Sequence, residues 1–394
     1  MTRSDSGLSV GQRFRQLRET RFGAFVPVML ALIAIWIYFG IAEPAFLSPR
    51  NFYFLFMQSA VVGTLAVGIT LVLLLGDIDL SAAATAGVCA AVLAVLIVMG
   101  VPGPIACLAA MLTGIVLGFV QGWLVAYVGI PSFVVTLAGL LGFQGLMLKI
   151  LGAQGAVNMR DPFVRSLTTV SLPPMLGWAV AIVCIVVFAV VVLRRQSQRR
   201  QRGVELESAL ALWGQIGFFA LILLAVVMTL NSYKGVPLLV ILLVGLTALL
   251  GWITTSTPFG RSLYAVGGNA ESARRVGMNV NYIRIAAFAI VGLMAAVAGI
   301  LGASRYASVS FNAFAGGPLL LEAIGAAVIG GTSLFGGRGS VWNAILGALV
   351  IGSLGNGLDL SGASAADKLM FSGAILLLAV AIDALSRAGS TQQR

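Results

Sequence analysis

The first long apolar stretch, AFVPVMLALIAIWIYFGIA at residues 24–42, runs nineteen residues without a charged side chain. A secretory signal peptide has an apolar core of about 7–15 residues. This run is longer, and no soluble domain follows it, so it reads as a retained membrane span. A hydrocarbon core about 30 Å thick takes about 20 helical residues. Lipid offers the backbone no hydrogen-bond partners, so only helices and closed barrels cross it. The run shows no two-residue alternation, which selects helix over barrel strand.

Similar runs follow near 56–75, 82–100, 104–127, 132–150, 174–193, 209–230, 236–253, 285–303, 319–334, 341–356 and 368–385. The expectation is an all-α, polytopic helical membrane protein of about twelve spans, with ten as the lower figure. The runs between 319 and 356 are short and glycine-rich and are candidates for broken or re-entrant helices. Composition agrees: the 394 residues are 59% hydrophobic and 9% charged, against about 45–50% and about 25% in soluble domains.

Histidine is absent, which removes histidine general bases, Ser-His-Asp triads and His-ligated zinc or haem. Cys89, Cys107 and Cys184 lie singly in apolar runs and read as small buried hydrophobes. There is no GxxxxGK[ST] motif, so no ATP-splitting P-loop is expected. No bound cofactor, metal or catalytic residue is expected, and the chain is not read as an enzyme.

Charge sets the orientation. With the N-terminus inside, 17 of the 24 lysines and arginines fall on cytosolic segments and 7 outside, the bias of the positive-inside rule. Both termini are then cytosolic. The arginine run 194–202 becomes an inside anchor in contact with membrane lipid, and nucleic acid is not an expected partner. The layout is a cytosolic segment 1–23, a transmembrane domain 24–385 containing a hairpin 174–230 and a cytosolic loop 254–284, and a cytosolic tail 386–394.

No acid lies in mid-span; Asp77, Asp79, Glu322 and Asp383 sit at span ends. That weakens a proton- or sodium-coupled carrier. No span carries regularly spaced arginines, so a voltage sensor is excluded. A passive channel and an externally powered permease remain, and the cytosolic loop discriminates. Pro258 and Gly260 break the preceding helix, and Gly267-Gly268-Asn269 forms a turn. Asn269 is a candidate N-cap for a short helix carrying Glu271 in its first turn, and Gly277 a stop. A capped cytosolic helix between two spans has the shape needed to receive force from a soluble motor; the alternative is a plain solvated connector.

Glu271-x-Ala273-x-x-x-Gly277 resembles the Glu-Ala-Ala-x-x-x-Gly coupling signature of binding-protein-dependent ATP-binding-cassette permeases. The longer run from Arg261 through Tyr264 to Gly277 is similar to the monosaccharide permeases of ribose, galactose, arabinose and xylose importers. Three further blocks resemble that family in order: Asp77-Ile78-Asp79-Leu80-Ser81, Pro131 to Gly139 with Thr136 at its centre, and Ile329 to Val341 with Gly330, Gly331, Gly336 and Gly337. Asp77 stands where glutamate is usual, and Leu320-Leu321-Glu322 replaces the usual Glu-Leu-Asp. The length and the extra hairpin resemble the xylose type.

The resemblance implies an alternating-access sugar importer in a bacterial inner membrane, with a pentose such as D-xylose as the expected cargo. It implies two copies of the permease, cytosolic ATP-binding-cassette ATPase subunits, and a periplasmic sugar-binding protein. Arg261, Tyr264, Gly267, Gly268, Asn269, Glu271, Ala273 and Gly277 are the expected contacts to the ATPase. Asp77, Asp79, Ser81, Thr136 and the glycines of 330–337 are either pathway or packing residues; Asp79 or Ser81 caps the next span, or the acids meet basic residues of the motor. Trp123, Tyr127, Phe133, Asn158 and Asn312 are sugar candidates by type alone, and aromatics at span ends also serve as interfacial anchors. Loops 151–173 and 304–318 are the expected docking site of the binding protein, with Phe311 and Phe314 as an apolar contact or gate. Rival readings are a permease of this class for another solute (another monosaccharide, an autoinducer, a nucleoside or branched-chain amino acids), or a secondary carrier or channel.

Overall fold

The computed structural model describes residues 25–204, 206, 208–315, 318–374, 377 and 380–381. The expected cytosolic segment 1–23 and tail 386–394 lie outside the described residues. The protein is a polytopic all-α membrane protein. Nine helices are long and apolar enough to cross a membrane, and two shorter apolar ones, 27–42 and 82–98, accompany them among the described residues.

Helix α1 is Phe25–Ala42, α2 Pro49–Leu75, α3 Ala82–Val98, α4 Gly103–Trp123 and α5 Ser132–Leu151. Strand β1 (Ala156–Asn158), helix α6 (Pro162–Thr169) and strand β2 (Ser171–Leu172) then lead to α7 (Pro174–Gln201) and α8 (Ala209–Asn231). Next come β3 (Val236–Pro237), α9 (Leu238–Ser256), α10 (Pro258–Gly268), α11 (Ala270–Arg275) and α12 (Val280–Tyr306). The series closes with β4 (Ser308–Ser310), α13 (Phe311–Phe314), α14 (Leu319–Ile329) and α15 (Val341–Leu360).

α2 is the axis of the molecule, with 21 of its 27 residues buried; a helix apolar all round sits either in a protein core or against lipid, and this one takes the core. α9, α12, α14 and α15 cover it. Ser48 caps its start through the Asn51 amide, and Gly76, at φ +78°, ends it in the left-handed region that glycine adopts freely. α1 is held to α15 by Trp36 Nε1 donating to Ser353 Oγ at 2.9 Å. Asn51 Nδ2 donates to Asn356 Oδ1 at 2.7 Å between α2 and α15. Such interhelical bonds contribute about 1 kcal/mol each in membranes.

The tightest crossing joins α4 to α12. Gly114, Gly118 and Gly122, four residues apart, place bare backbone against Gly292, Phe288 and Ile285. A Cβ at Gly114 or Gly118 would overlap carbonyl oxygens of α12. Small residues at this spacing let two backbones meet, which replaces the hydrophobic drive that lipid cannot supply.

Three features differ from the sequence expectation. α15 is continuous over 341–360, so the helix break falls between α14 and α15, at 330–340. α14 has 11 residues, about 16 Å of helix, the short element expected there, and it counts among the nine only together with α13. Gly267 and Gly268, expected in a turn, instead end helix α10. Four short strands form two antiparallel ribbons, β1 with β4 and β2 with β3, which no period-2 pattern announced. Both ribbons lie on one face; the other face carries the turn 76–81, the α10–α11 segment and the glycine-rich 330–340 loop.

α7 and α8, the expected hairpin, sit at the edge. Their most apolar windows are only 11% and 17% buried, and they stack on each other through Phe188 and Phe219 at 4.3 Å. A thin cluster of Tyr53, Met57, Ala181, Val227, Leu230 and Val236 ties them to α2 and β3.

Leucine at Gly118 is expected to abolish a monodisperse size-exclusion peak, because the opposing atoms are backbone and overpacking costs at least about 1–3 kcal/mol. Gly245→Leu, at a position where a Cβ meets nothing within 4 Å, should keep that peak. Equal behaviour of the two variants would contradict the packing described.

Candidate functional site

The four sequence blocks that resemble the permease family are far apart in the chain and meet at one junction. Its centre is the end of α2. Gly76 N–H donates to Leu73 O and Asp77 N–H to Val72 O, the paired bonds of a helix stop that satisfy two of the last carbonyls. The Leu74 carbonyl is taken from outside the helix, by Gly337 N–H at 2.9 Å.

Gly267, near the end of α10, lies against the same Leu74 carbonyl and against Gly337 N, so that a Cβ there would overlap backbone. Gly336 and Gly337, at φ +83° and +73°, pass Gly76, Gly267 and Gly268 at backbone distance. Tyr264 Oη donates to Gly339 O at 2.9 Å. Gly330 abuts the carbonyl of Asn343, and Gly331 turns the chain at φ +91°. The glycine-rich loop is therefore engaged in backbone packing beneath α10.

The turn after α2 reaches the remaining blocks. Asp79 is buried, and its Oδ1 accepts from Ser81 N–H at 2.8 Å and Ser81 Oγ at 2.7 Å. Ser81 occupies the N-cap position of α3 without a side-chain cap bond, so of the two cap candidates Asp79 supplies the acceptor. Gln121 Nε2 on α4 donates to Ser81 Oγ at 2.7 Å. Thr136, fully buried on α5, donates from Oγ1 to Ile78 O at 3.1 Å, and Ile78 N–H donates to Ser132 Oγ at 3.3 Å. Asp77 Oδ2 lies 3.1 Å from Arg284 Nε on α12. Burial pushes the Asp77 carboxyl above the usual carboxylate range, with Arg284 and Ser132 pulling against it. Burial does the same at Asp79, opposed by its bonds from Ser81 and Ala82.

Beyond the junction stands a small knob. Thr257 caps α10 through Gly260 N–H, and Asn269 caps α11 through Ser272 N–H at 2.8 Å, as the sequence predicts for Asn269. Gly277 has φ +85° and receives the chain after α11. Ala273 is buried, while Glu271, Arg274 and Arg275 point outward with side chains 60–77% exposed. Glu271 pairs with Arg274 at 3.6 Å and Arg275 at 3.2 Å. Exposed pairs of this kind add only about 0.3–0.5 kcal/mol, so the fold has little need of those charges. Val276 is exposed beside them, and Arg261 is exposed on α10.

Arg284, Ser132, Gln121 and the Leu74 carbonyl were missing from the sequence reading. Gln121 and Arg284 sit at span ends like the acids that were singled out, which was the available signal. On the opposite face, β1–β4 pairing joins the two loops named as docking sites, beside a hollow of about 550 Å³ lined by Asn158, Arg160, Asp161, Arg165 and Tyr306. Asn312 is exposed there, whereas Phe314 is buried against Gly87 and Gly302. Trp123, Tyr127 and Phe133 are exposed at helix ends. Among the described residues no three metal-ligating side chains cluster.

Many helices long enough to cross a membrane, joined on one face by a backbone-packed junction that props up a charged helical knob, define a multi-pass membrane protein, and comparison with known proteins makes it a permease component. The chain belongs to the family described as branched-chain amino acid transport system / permease component, whose model matches residues 51–380. It is 38% identical to the xylose transport system permease protein XylH of Escherichia coli strain K12, over 95% of each chain. It is 34% identical to the protein of the same name from Haemophilus influenzae, over 90% of this chain and 95% of that one. It is 32% identical to the autoinducer 2 import system permease protein LsrC of Salmonella typhi, over 81% of this chain and 74% of the relative. No solved structure matches the chain.

The two adjacent glycines of α10 separate packing from composition. Gly267→Ala is expected to lower the unfolding temperature of the purified protein by several degrees, since it drives a methyl into two backbone segments. Gly268→Ala, with nothing within 4 Å of its Cβ, should leave that temperature unchanged.

Proposed function

We propose that this chain is the pathway-forming permease subunit of an ATP-driven, binding-protein-dependent importer of a pentose such as D-xylose, working by alternating access in a bacterial inner membrane. The observation that carries this reading is the 38% identity to a xylose permease over 95% of both chains. In this reading two copies of the chain flank one route. Cytosolic ATP-binding-cassette subunits bind the knob, and a periplasmic sugar-binding protein docks on the ribbon face.

The knob supports the assignment physically. A motor shifts a two-state permease only through a contact whose strength differs between the states. α11 offers exposed Glu271, Arg274, Arg275 and Val276 on a short rigid element, with buried Ala273 pinning it. Through Gly267 and Gly337 its neighbour α10 is keyed to the end of the central helix. Arg261, Tyr264, Asn269 and Gly277 shape and brace this knob in the same assignment.

A second reading, import of autoinducer 2, is favoured by the 32% identity to LsrC. Uptake of labelled D-xylose into cells lacking their own xylose transporters, with and without excess autoinducer 2, separates the two. Saturable xylose uptake that autoinducer leaves unaffected supports the pentose reading, and uptake of autoinducer alone would refute it.

Glu271→Ala is expected to insert and purify as the wild type, because its surface pairs are worth only about 0.3–0.5 kcal/mol, while sugar-stimulated ATP hydrolysis by the assembled complex falls at least about tenfold. Gly277→Val should lose coupling too, because valine resists the left-handed backbone held there. Unchanged stimulation in both variants would remove the knob from the coupling path.

A further inference from the structure

Among the described ion pairs, Asp77–Arg284 is the most enclosed, its side chains 10% and 26% exposed against 60–77% in the pairs of the knob. Asp77 belongs to the turn that closes α2. Arg284 lies in the first turns of α12, with only residues 276–279 between that helix and α11. Asp77 Oδ2 and Arg284 Nε are buried atoms without another hydrogen-bond partner, so the 3.1 Å contact between them is what answers these two atoms; Ser132 also supports the Asp77 carboxyl. An exposed pair yields to a small push, but separating a desolvated pair strands two uncompensated charges. The turn and the start of α12 are thereby held to move together.

The link continues past the pair. The same turn receives Thr136 Oγ1 at Ile78 O and donates from Ile78 N–H to Ser132 Oγ, both on α5. It also caps α3 through Asp79. α5 is the element with room to shift: the most apolar window of this helix is only 22% buried, and Phe133, Val134, Leu137 and Leu141 are exposed along it. Gly267 already fixes α10 to the end of α2, so the knob has two attachments, one on each side of the 76–81 turn.

Resting on the permease reading above, we propose that Asp77 and Arg284 are positioning residues that carry displacement of the knob into α3 and α5. They do so by keeping the 76–81 turn in register with the start of α12. The contact is specific to the pairing of charges and not to the bulk of either side chain.

The test uses the complex reconstituted with its ATPase and binding protein, reading labelled D-xylose taken up per ATP hydrolysed. Asp77→Asn and Arg284→Gln are each expected to lower that ratio at least about tenfold, within the usual range of coupling between sites. Asp77→Glu, which keeps the charge, should retain most of it. The exchanged pair, Asp77→Arg with Arg284→Asp, should recover at least about threefold over the worse single reversal, the signature of two residues that interact. Additive losses in the exchanged pair, or a wild-type ratio in the neutral variants, would overturn the inference. If the single variants fail to insert, the exchanged pair decides: recovered insertion and uptake support the inference, and no recovery overturns it. Absence of uptake by the wild-type complex would sink the permease reading and this inference with it; wild-type uptake with unaffected variants would sink this inference alone.

Discussion

The Leu74 carbonyl is the point on which the arrangement of the knob face depends. A helix end leaves its last carbonyls without partners. Here the neighbouring Val72 and Leu73 are satisfied within the turn, and Leu74 is satisfied by Gly337 from the far end of the sequence. Bringing that amide in requires a loop with no side chains in the way, which explains Gly336 and Gly337. Admitting α10 to the same spot requires Gly267. One hydrogen bond between backbones thus dictates the composition of three distant segments. Leu74 is fully buried, so such a bond has no aqueous competitor and an unsatisfied alternative would be costly.

The helical membrane fold was legible in the sequence because run length and lack of alternation are local properties. The cap at Asn269 and the stop at Gly277 follow from single residues and their neighbours, whereas the helix that Thr257 caps runs on through Gly267 and Gly268, where a turn was expected. What could not be read locally was convergence. Nothing in Asp77-Ile78-Asp79-Leu80-Ser81 says that Thr136, Gln121 and Arg284 will surround it. The glycine stripe 114–118–122 was open to reading at its four-residue spacing, yet in a chain with 48 glycines the spacing alone did not stand out. The ribbons were invisible because strands of two or three residues carry no pattern, and their pairing joins loops some 65 to 150 positions apart. The uninterrupted α15 shows a further limit. Glycines inside an apolar helix suggest a break, but Gly347, Gly352 and Gly357 instead admit Ala326, Ser59 and Phe39 to close contact.

The two faces are built on different principles. On the ribbon face, side chains and short strands join the loops: β1 binds β4, Thr168 Oγ1 meets Ser304 Oγ at 2.8 Å, and Asp161 caps α6. On the knob face the end of α2, α10 and the 330–340 loop meet backbone to backbone, and the enclosed Asp77–Arg284 pair adds a side-chain joint. Backbone joints and enclosed ion pairs have little slack and transmit displacement, whereas exposed side-chain joints readjust. That division suits the role proposed for the knob face, passing on mechanical work.

The thin attachment of α7 and α8 has a consequence for how such chains vary. These two helices share little of their surface with the remaining core, and they enter and leave beside one another at Pro174 and Asn231. A module of that kind is gained or shed in evolution without redrawing the rest, as a porch is added to a standing house. The central helix with its glycine-lined neighbours tolerates no comparable edit, so divergence in chain length should concentrate at this margin.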